Sequence, residues 1–455
     1  MKKLLLVVLL FSMSIPSVAQ QGQVGLNGIK FVAPLQFAIG SDNNFLVDRT
    51  DPNQKLLILS LSPSVQPGAP DIRPKILDDK FIMLTLPKIA YQNDSRRHEF
   101  TITWVPEFEV YKQNSDQNSI NQEATVAFGY SITRNLQIGA ADNYVTSKDP
   151  ARALSNVFLL LPRSRYHENS IHGAIDYQPN QVTNIGIKYD NSYSRFGQSD
   201  PFQVRLLDSR SSGYSLVFTR MLRPKHRIKA MYSFFKVKPI NDQEEFDAGV
   251  DNDDRDFIHP INSGSVEYRW SMNPNTVVEV SGGAIKLDTG LNYIFRGSLA
   301  RRVGNFWVSG GYTRSLAFQA GSQGVFAQGV VSNGFYDIIS ARFRGQPTRN
   351  TAVLVDATFT RDVSGRITDN TQAAMGRIRL DYRLSDRTVV FSSWDAFYQS
   401  RNVYVAAPLT RNRFAVGFEF SLSSEADRRA NRLNEDTQYI ALTDHQRRRK
   451  VPEDN

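Results

Sequence analysis

The sequence predicts an all-β protein: a single transmembrane, antiparallel, up-and-down β-barrel of about 16 strands, preceded by an irregular N-terminal segment. Three observations predict it. Apolar and polar residues alternate at period two in one segment after another from Glu99 to Leu422. Tight and long connections alternate between those segments, as they do in barrels that cross a bilayer. Beyond residue 19 no apolar run approaches the ~20 residues that a spanning helix needs, so any crossing has to be made by strands.

The N-terminus comes first. Lys2 and Lys3 precede the continuously apolar Leu4 to Phe11, and Ser17-Val18-Ala19 supplies small residues for cleavage, so residues 1–19 read as an export signal. No lipidation cysteine follows, and a free mature N-terminus is expected near Gln20. The chain carries a formal charge of +9 and no cysteine, with 41% hydrophobic and 11% aromatic residues. That composition excludes a disulfide scaffold, a thiolate metal site and wholesale disorder. Residues 20–97 contain Pro34, Pro52, Pro63, Pro67, Pro70, Pro74 and Pro87. Prolines at this density argue against regular sheet, and the segment is expected in the periplasm or folded into the lumen as a plug.

The barrel is expected over residues 98–422. Phe100, Ile102, Trp104, Phe108 and Val110 share one phase, with Thr101, Thr103, Glu107 and Glu109 in the other. The alternation recurs through Ala124 to Ile132, Leu136 to Ala140, Ile171 to Tyr177 and Ile185 to Tyr189. It continues through Tyr214 to Phe218, Ile228 to Phe234, Val266 to Trp270, Val278 to Ala284 and Leu291 to Leu299. The last segments are Phe306 to Tyr312, Ile339 to Phe343, Val353 to Phe359, Ile378 to Leu384, Val390 to Trp394 and Phe414 to Leu422.

Connections at Arg134, Pro179, Pro224, Pro274, Gly304, Pro347 and Asp386 are tight, and those around residues 145–168, 194–210, 238–261, 317–334 and 399–410 are long. Asp288-Thr289-Gly290 breaks the rule. An even strand count puts both chain ends on the tight-turn side, which makes residues 423–455 a charged periplasmic tail. In this register the lipid-phase charges are Asp142, Lys236, Lys286, Arg314, Asp337 and Arg361, all at long-loop ends, where a charge costs little.

From Glu99 to Leu422 the chain resembles the Gram-negative outer-membrane β-barrel, porin-like class. The final strand, Gly417-Phe418-Glu419-Phe420-Ser421-Leu422, is similar to the assembly signal of that class, with Gly417, Phe420 and Leu422 in its pattern. Ala415 stands where that pattern is polar, and about thirty residues follow. The proline-rich leader before an arginine-rich barrel also resembles the porin-like barrels of exopolysaccharide systems. The resemblance implies an outer-membrane location with both termini periplasmic, and contact with lipid, lipopolysaccharide and the barrel assembly machinery.

Inward-phase residues set selectivity in a wide barrel. Arg296, Arg342, Arg344, Arg377, Arg379 and Arg383 fall inward, as do the acids Glu107, Glu109, Asp176 and Asp190. Facing one another across a constriction they would favour anions and orient polar solutes; paired with carboxylates such as Asp381 they would merely satisfy charge. The rim bases Lys236, Lys286, Arg314 and Arg361 suit lipopolysaccharide phosphates or plain interfacial snorkelling. Trp104, Trp270, Trp307 and Trp394 suit interfacial girdles.

No enzyme, metal or cofactor is expected. His167, Glu168 and His172 lack metal-ligand spacing, and Arg255 interrupts the acidic run Asp251 to Asp256. Gly321, Gly324 and Gly329 lack a following lysine. The tail has its basic run at Arg447 to Lys450 and is compatible with a periplasmic partner, not nucleic acid. The expected function is a passive channel for small polar or anionic solutes. The alternatives are an exopolysaccharide conduit and a soluble secreted all-β binding protein.

Overall fold

The computed structural model describes residues 29–31, 34–45, 76–94, 97–148, 165–196, 209–239, 260–287, 290–316, 335–363, 372–400 and 409–421. The expected export signal and charged tail lie outside the described residues, as does Leu422.

Twenty strands are formed: β1 (Ile29–Phe31), β2 (Leu35–Phe45), β3 (Ile76–Thr85), β4 (Ile89–Asp94), β5 (His98–Tyr111), β6 (Ser119–Ser131), β7 (Leu136–Ser147), β8 (Tyr166–Asn180), β9 (Thr183–Phe196), β10 (Ser209–Arg223), β11 (His226–Pro239), β12 (Ile261–Asn273), β13 (Thr276–Leu287), β14 (Gly290–Val303), β15 (Phe306–Leu316), β16 (Phe335–Gly345), β17 (Thr351–Asp362), β18 (Gln372–Arg383), β19 (Thr388–Gln399) and β20 (Leu409–Phe420). Every pairing is antiparallel between neighbours, and β20 returns to pair with β2 from Leu35↔Phe420 to Asp42↔Arg413. The sheet therefore closes and has no edge. Because β1 pairs with β4 while β2 pairs with β3, and β3 and β4 both pair with β5, β1 and β2 together make one interrupted stave and β3 and β4 together make another. The wall has 18 staves.

The count of about 16 is thus corrected to 18. All sixteen period-two segments are present as β5 to β20, and the two further staves come from the leader. Proline density misled because the two described prolines sit at breaks, Pro34 between β1 and β2 and Pro87 between β3 and β4, while Pro52, Pro63, Pro67, Pro70 and Pro74 lie outside the described residues. A residue without an N–H interrupts a ladder without ending the stave. Pro106 on β5 lies opposite the second break, and its carbonyl accepts the Leu86 N–H at 3.0 Å. The wall accordingly begins near Ile29, well before the expected boundary at residue 98.

The alternation sorts side chains as the period of two demands. Large apolar groups stand exposed on the outer face, including Ile171 (45%), Leu216 (51%) and Tyr232 (53%). In a soluble sheet such a band would be an unexplained cost. On a closed barrel it is the surface that meets hydrocarbon. The outward charges do not all lie at one rim, since Arg220 and Arg301 share the outward phase near the tight turns of β10 and β14. The expected restriction to long-loop ends is corrected: lipid-facing charge is tolerated toward either boundary.

Tight turns are built from local chemistry. Asn180 accepts the Val182 N–H at 3.1 Å, Asn273 accepts the Asn275 N–H at 2.9 Å, and Gly304 takes φ 59°. Gly290, the first residue of β14 after its short connection from β13, takes φ 129°.

The seam between β2 and β20 is closely packed on its lumen side. A Cβ on Gly417 would stand 2.1 Å from the Phe37 carbonyl and 2.8 Å from the Phe391 ring. One on Gly40 would meet the Phe414 carbonyl at 2.0 Å and the Phe81 ring at 2.7 Å. Phe81 and Phe391 belong to a buried cluster with Ala38, Met83, Tyr111 and Ala415. A Gly417→Ala barrel is therefore expected to lose about 1–3 kcal/mol through overpacking against backbone. A lowered temperature of mobility change on SDS gels would register this, and an unchanged one would contradict it.

Candidate functional site: the charged lumen wall

The lumen wall is organised by a belt of alternating charge. Arg342 on β16 faces Asp356 on β17, Asp356 faces Arg377 on β18, and Arg377 faces Asp395 on β19. Asp395 then faces Arg413 on β20, which faces Asp42 on β2. Six consecutive staves thus present opposite signs directly opposite one another, the arrangement that favours cross-strand pairing. Arg342 donates from Nε to Asp356 at 2.5 Å, and Arg377 pairs with Asp395. The belt dries along its length: the Arg342 side chain is 59% exposed, Arg377 45%, Arg413 10% and Asp42 0%.

At its dry end the belt becomes a knot. Arg411 donates to both Asp42 carboxylate oxygens, at 2.9 and 2.7 Å, and the Tyr111 hydroxyl reaches Asp42 at 3.2 Å. Arg413 reaches Glu109 at 2.5 Å and lies over the Phe81 ring, 4.1 Å from its centroid. A similar layering stands beside it, where Arg379 lies 4.5 Å over the Phe391 ring and is held by Asp381 at 2.7 Å and by Glu419.

This geometry divides the arginines singled out by sequence. Arg342, Arg377 and Arg379 fall in the inward phase as expected, yet each has its own carboxylate. Arg344 and Arg383 are also engaged. Arg296 differs: it is exposed, and among the described residues it has no carboxylate within ion-pair distance. It belongs to a second group. The charges of Lys188, Arg227 and Arg296 act on Lys229, with Glu267 the one carboxylate acting there among the described residues. Glu267 lies directly opposite Lys229 and pairs with Arg227 at 3.6 Å. Around Lys229 four bases, itself included, therefore stand against one acid. The neighbouring Arg269 is matched by Glu279 at 3.2 Å.

The predicted acids do not form one facing wall. Glu109 is buried against Arg413, and Glu107 accepts from Asn121 at 2.9 Å and Thr85 at 3.2 Å. Asp190 lies 2.6 Å from His172, and Asp176 packs against Gly186. Glu109 meets its arginine along the wall, through Arg413, just as the belt arginines take carboxylates from neighbouring strands. At the long-loop rim Arg314 and Arg361 both lie directly opposite Asp337, which Arg314 reaches at 3.9 Å. Lys236 lies 5.8 Å over the Phe234 ring, and Lys286 is exposed. In the assembly-signal pattern, Gly417 makes room for Phe391, and Phe420 pairs with Leu35 at the tight-turn end. Among the described residues no group of acids and histidines has the arrangement of a metal site.

Sequence reasoning missed Lys188, Arg227, Lys229, Asp356, Asp395, Arg411 and Arg413, all of which share the inward phase already read for their strands. Asp42 was hidden because its stave was not recognised.

No family model matches the chain, and no curated protein matches it either. Solved structures with a similar course include OccAB4 from Acinetobacter baumannii, at TM-score 0.41 and 8% identity, covering 89% of this chain and 99% of that one. OccK8 (OprE) from Pseudomonas aeruginosa gives TM-score 0.42 and 9% identity, with coverage of 85% and 96%. The siderophore receptor PirA from Pseudomonas aeruginosa gives TM-score 0.38 and 9% identity, with coverage of 86% and 80%.

Proposed function

We propose that this barrel is a passive outer-membrane channel for small polar and anionic solutes. Its long-loop rim would meet lipopolysaccharide, both chain ends would lie in the periplasm, and the barrel assembly machinery would insert it. One observation carries the reading: whereas the belt arginines are matched with carboxylates, Lys188, Arg227, Lys229 and Arg296 gather around the single carboxylate Glu267. Excess positive charge in a confined aqueous path raises the local concentration of anions and repels cations.

The test is electrical. Full-length protein reconstituted into planar bilayers under a potassium chloride gradient should give stepwise conductance with a reversal potential of the sign set by chloride flow. Cation preference, or bilayers that stay silent while the protein is folded, would overturn the proposal.

A further inference from the structure

Trp307 faces the wrong way for a lipid-girdle residue. Phe306 and Val308 occupy the outward phase of β15, whereas Trp307 shares the inward phase with Ser309, which faces the lumen residue Arg342. The residue is nonetheless 44% exposed. A tryptophan at a bilayer boundary gains by setting its ring among lipid headgroups, and that gain is absent on the water side. Trp307 is the second residue after the Gly304–Asn305 turn, so the indole stands just inside the tight-turn mouth.

Its neighbours are cations on both sides. Arg302 on β14 and Arg344 on β16 are its direct cross-strand partners. Side chains so placed have Cβ atoms about 4.5–5.5 Å apart, within reach of one small ligand. Arg302 donates from Nε to the Gly304 carbonyl at 3.2 Å, which ties its guanidinium beside the turn and limits its freedom before any ligand arrives.

We propose that Trp307, Arg302 and Arg344 form a binding platform for an anion with a flat, weakly hydrated face, either the ring of an aromatic carboxylate or the carbon face of a uronic acid. The indole takes the flat face by dispersion and stacking, and Arg302, already oriented beside the turn, takes the carboxylate while Arg344 adds positive charge next to it. A small round carboxylate such as acetate finds the charge and forfeits the stacking. As a staging site for a permeating solute the platform rests on the channel reading; as a binding site it does not.

The test separates the two. Full-length protein in detergent is titrated with benzoate, glucuronate and acetate at constant ionic strength, following tryptophan emission in the wild type and in Trp307→Phe. Trp307 is one of four tryptophans, so the difference between the two isolates its signal. The expected result is a saturable change with benzoate, glucuronate or both, absent from Trp307→Phe, and half-saturation about three- to tenfold below that of acetate. A double Arg302→Gln, Arg344→Gln variant that keeps its heat-dependent gel mobility should need several-fold more of either ligand. Response to benzoate alone assigns aromatic carboxylates, and to glucuronate alone acidic sugars. Wild type and Trp307→Phe responding identically, or acetate binding as well as the flat anions, overturns the platform. Anion-selective conductance with a flat titration leaves the channel standing and removes the platform; a saturable titration on silent bilayers does the reverse.

Discussion

An Asp42→Asn barrel is expected to lose about 3–5 kcal/mol of stability, because the substitution leaves Arg411 buried with its bidentate partner discharged. Asp42 sits on the first stave and Arg411 on the last, 369 positions apart, and they meet at 2.7 Å with the carboxylate fully buried. Nothing nearby in sequence can substitute for that contact. The seam it closes has only eight residue pairs, from Leu35↔Phe420 to Asp42↔Arg413, against twelve for the adjoining β19 and β20. A short ladder specifies its register weakly unless side chains add to it. Here they do so in two ways: Gly40 and Gly417 admit rings flat against the wall, and Asp42 takes guanidinium groups from alternate positions of β20. The matched control is Asp356→Asn on the wet part of the belt. Its partner Arg342 is 59% exposed, so its loss should stay below about 1 kcal/mol. The midpoint of heat-dependent mobility in SDS reads both. Register is read separately by joining Ile39→Cys to Val416→Cys, which face each other in a chain that has no cysteine of its own. Equal losses in the two asparagine variants would show that burial at the seam is not what makes Asp42 matter.

The sequence carried the wall well because a period of two is a local signal. Tyr214, Leu216 and Phe218 announce both a strand and its lipid face within five residues, and β5 to β20 all follow from such runs. The first two staves were illegible for a physical reason. Pro34 and Pro87 interrupt them, and in the segment Leu35 to Phe45 the apolar phase Leu35, Phe37, Ile39 gives way to Ser41 and Asn43 after three positions. Face could be read where pairing could not. Arg377 is inward by alternation alone, but whether it is an available cation depends on Asp356 and Asp395 standing directly across from it, and that needs the register of three strands at once. Arg296 and Arg342 look alike in sequence and differ in the wall only because Ser281 and Thr313 flank the first while Asp356 flanks the second.

That difference sets the largest expected functional effect. Turning both Lys229 and Arg296 into glutamate changes the group from four bases and one acid to two bases and three acids, so the reversal potential should cross zero and the channel should prefer cations. The replacement Arg377→Gln with Asp395→Asn deletes a pair that is already neutral, and selectivity should barely move. Salt concentration supplies a check on the mechanism. Fixed charges act on permeating ions over a screening length of roughly 10 Å at 0.1 M and 3 Å at 1 M, so the inversion should be pronounced in dilute salt and shrink as salt rises. Were the change instead equally large at both concentrations, the substitutions would have reshaped the path rather than its field. An unchanged sign in dilute salt would mean that anions do not pass the Lys229 group, and the uncompensated charge there would need another explanation.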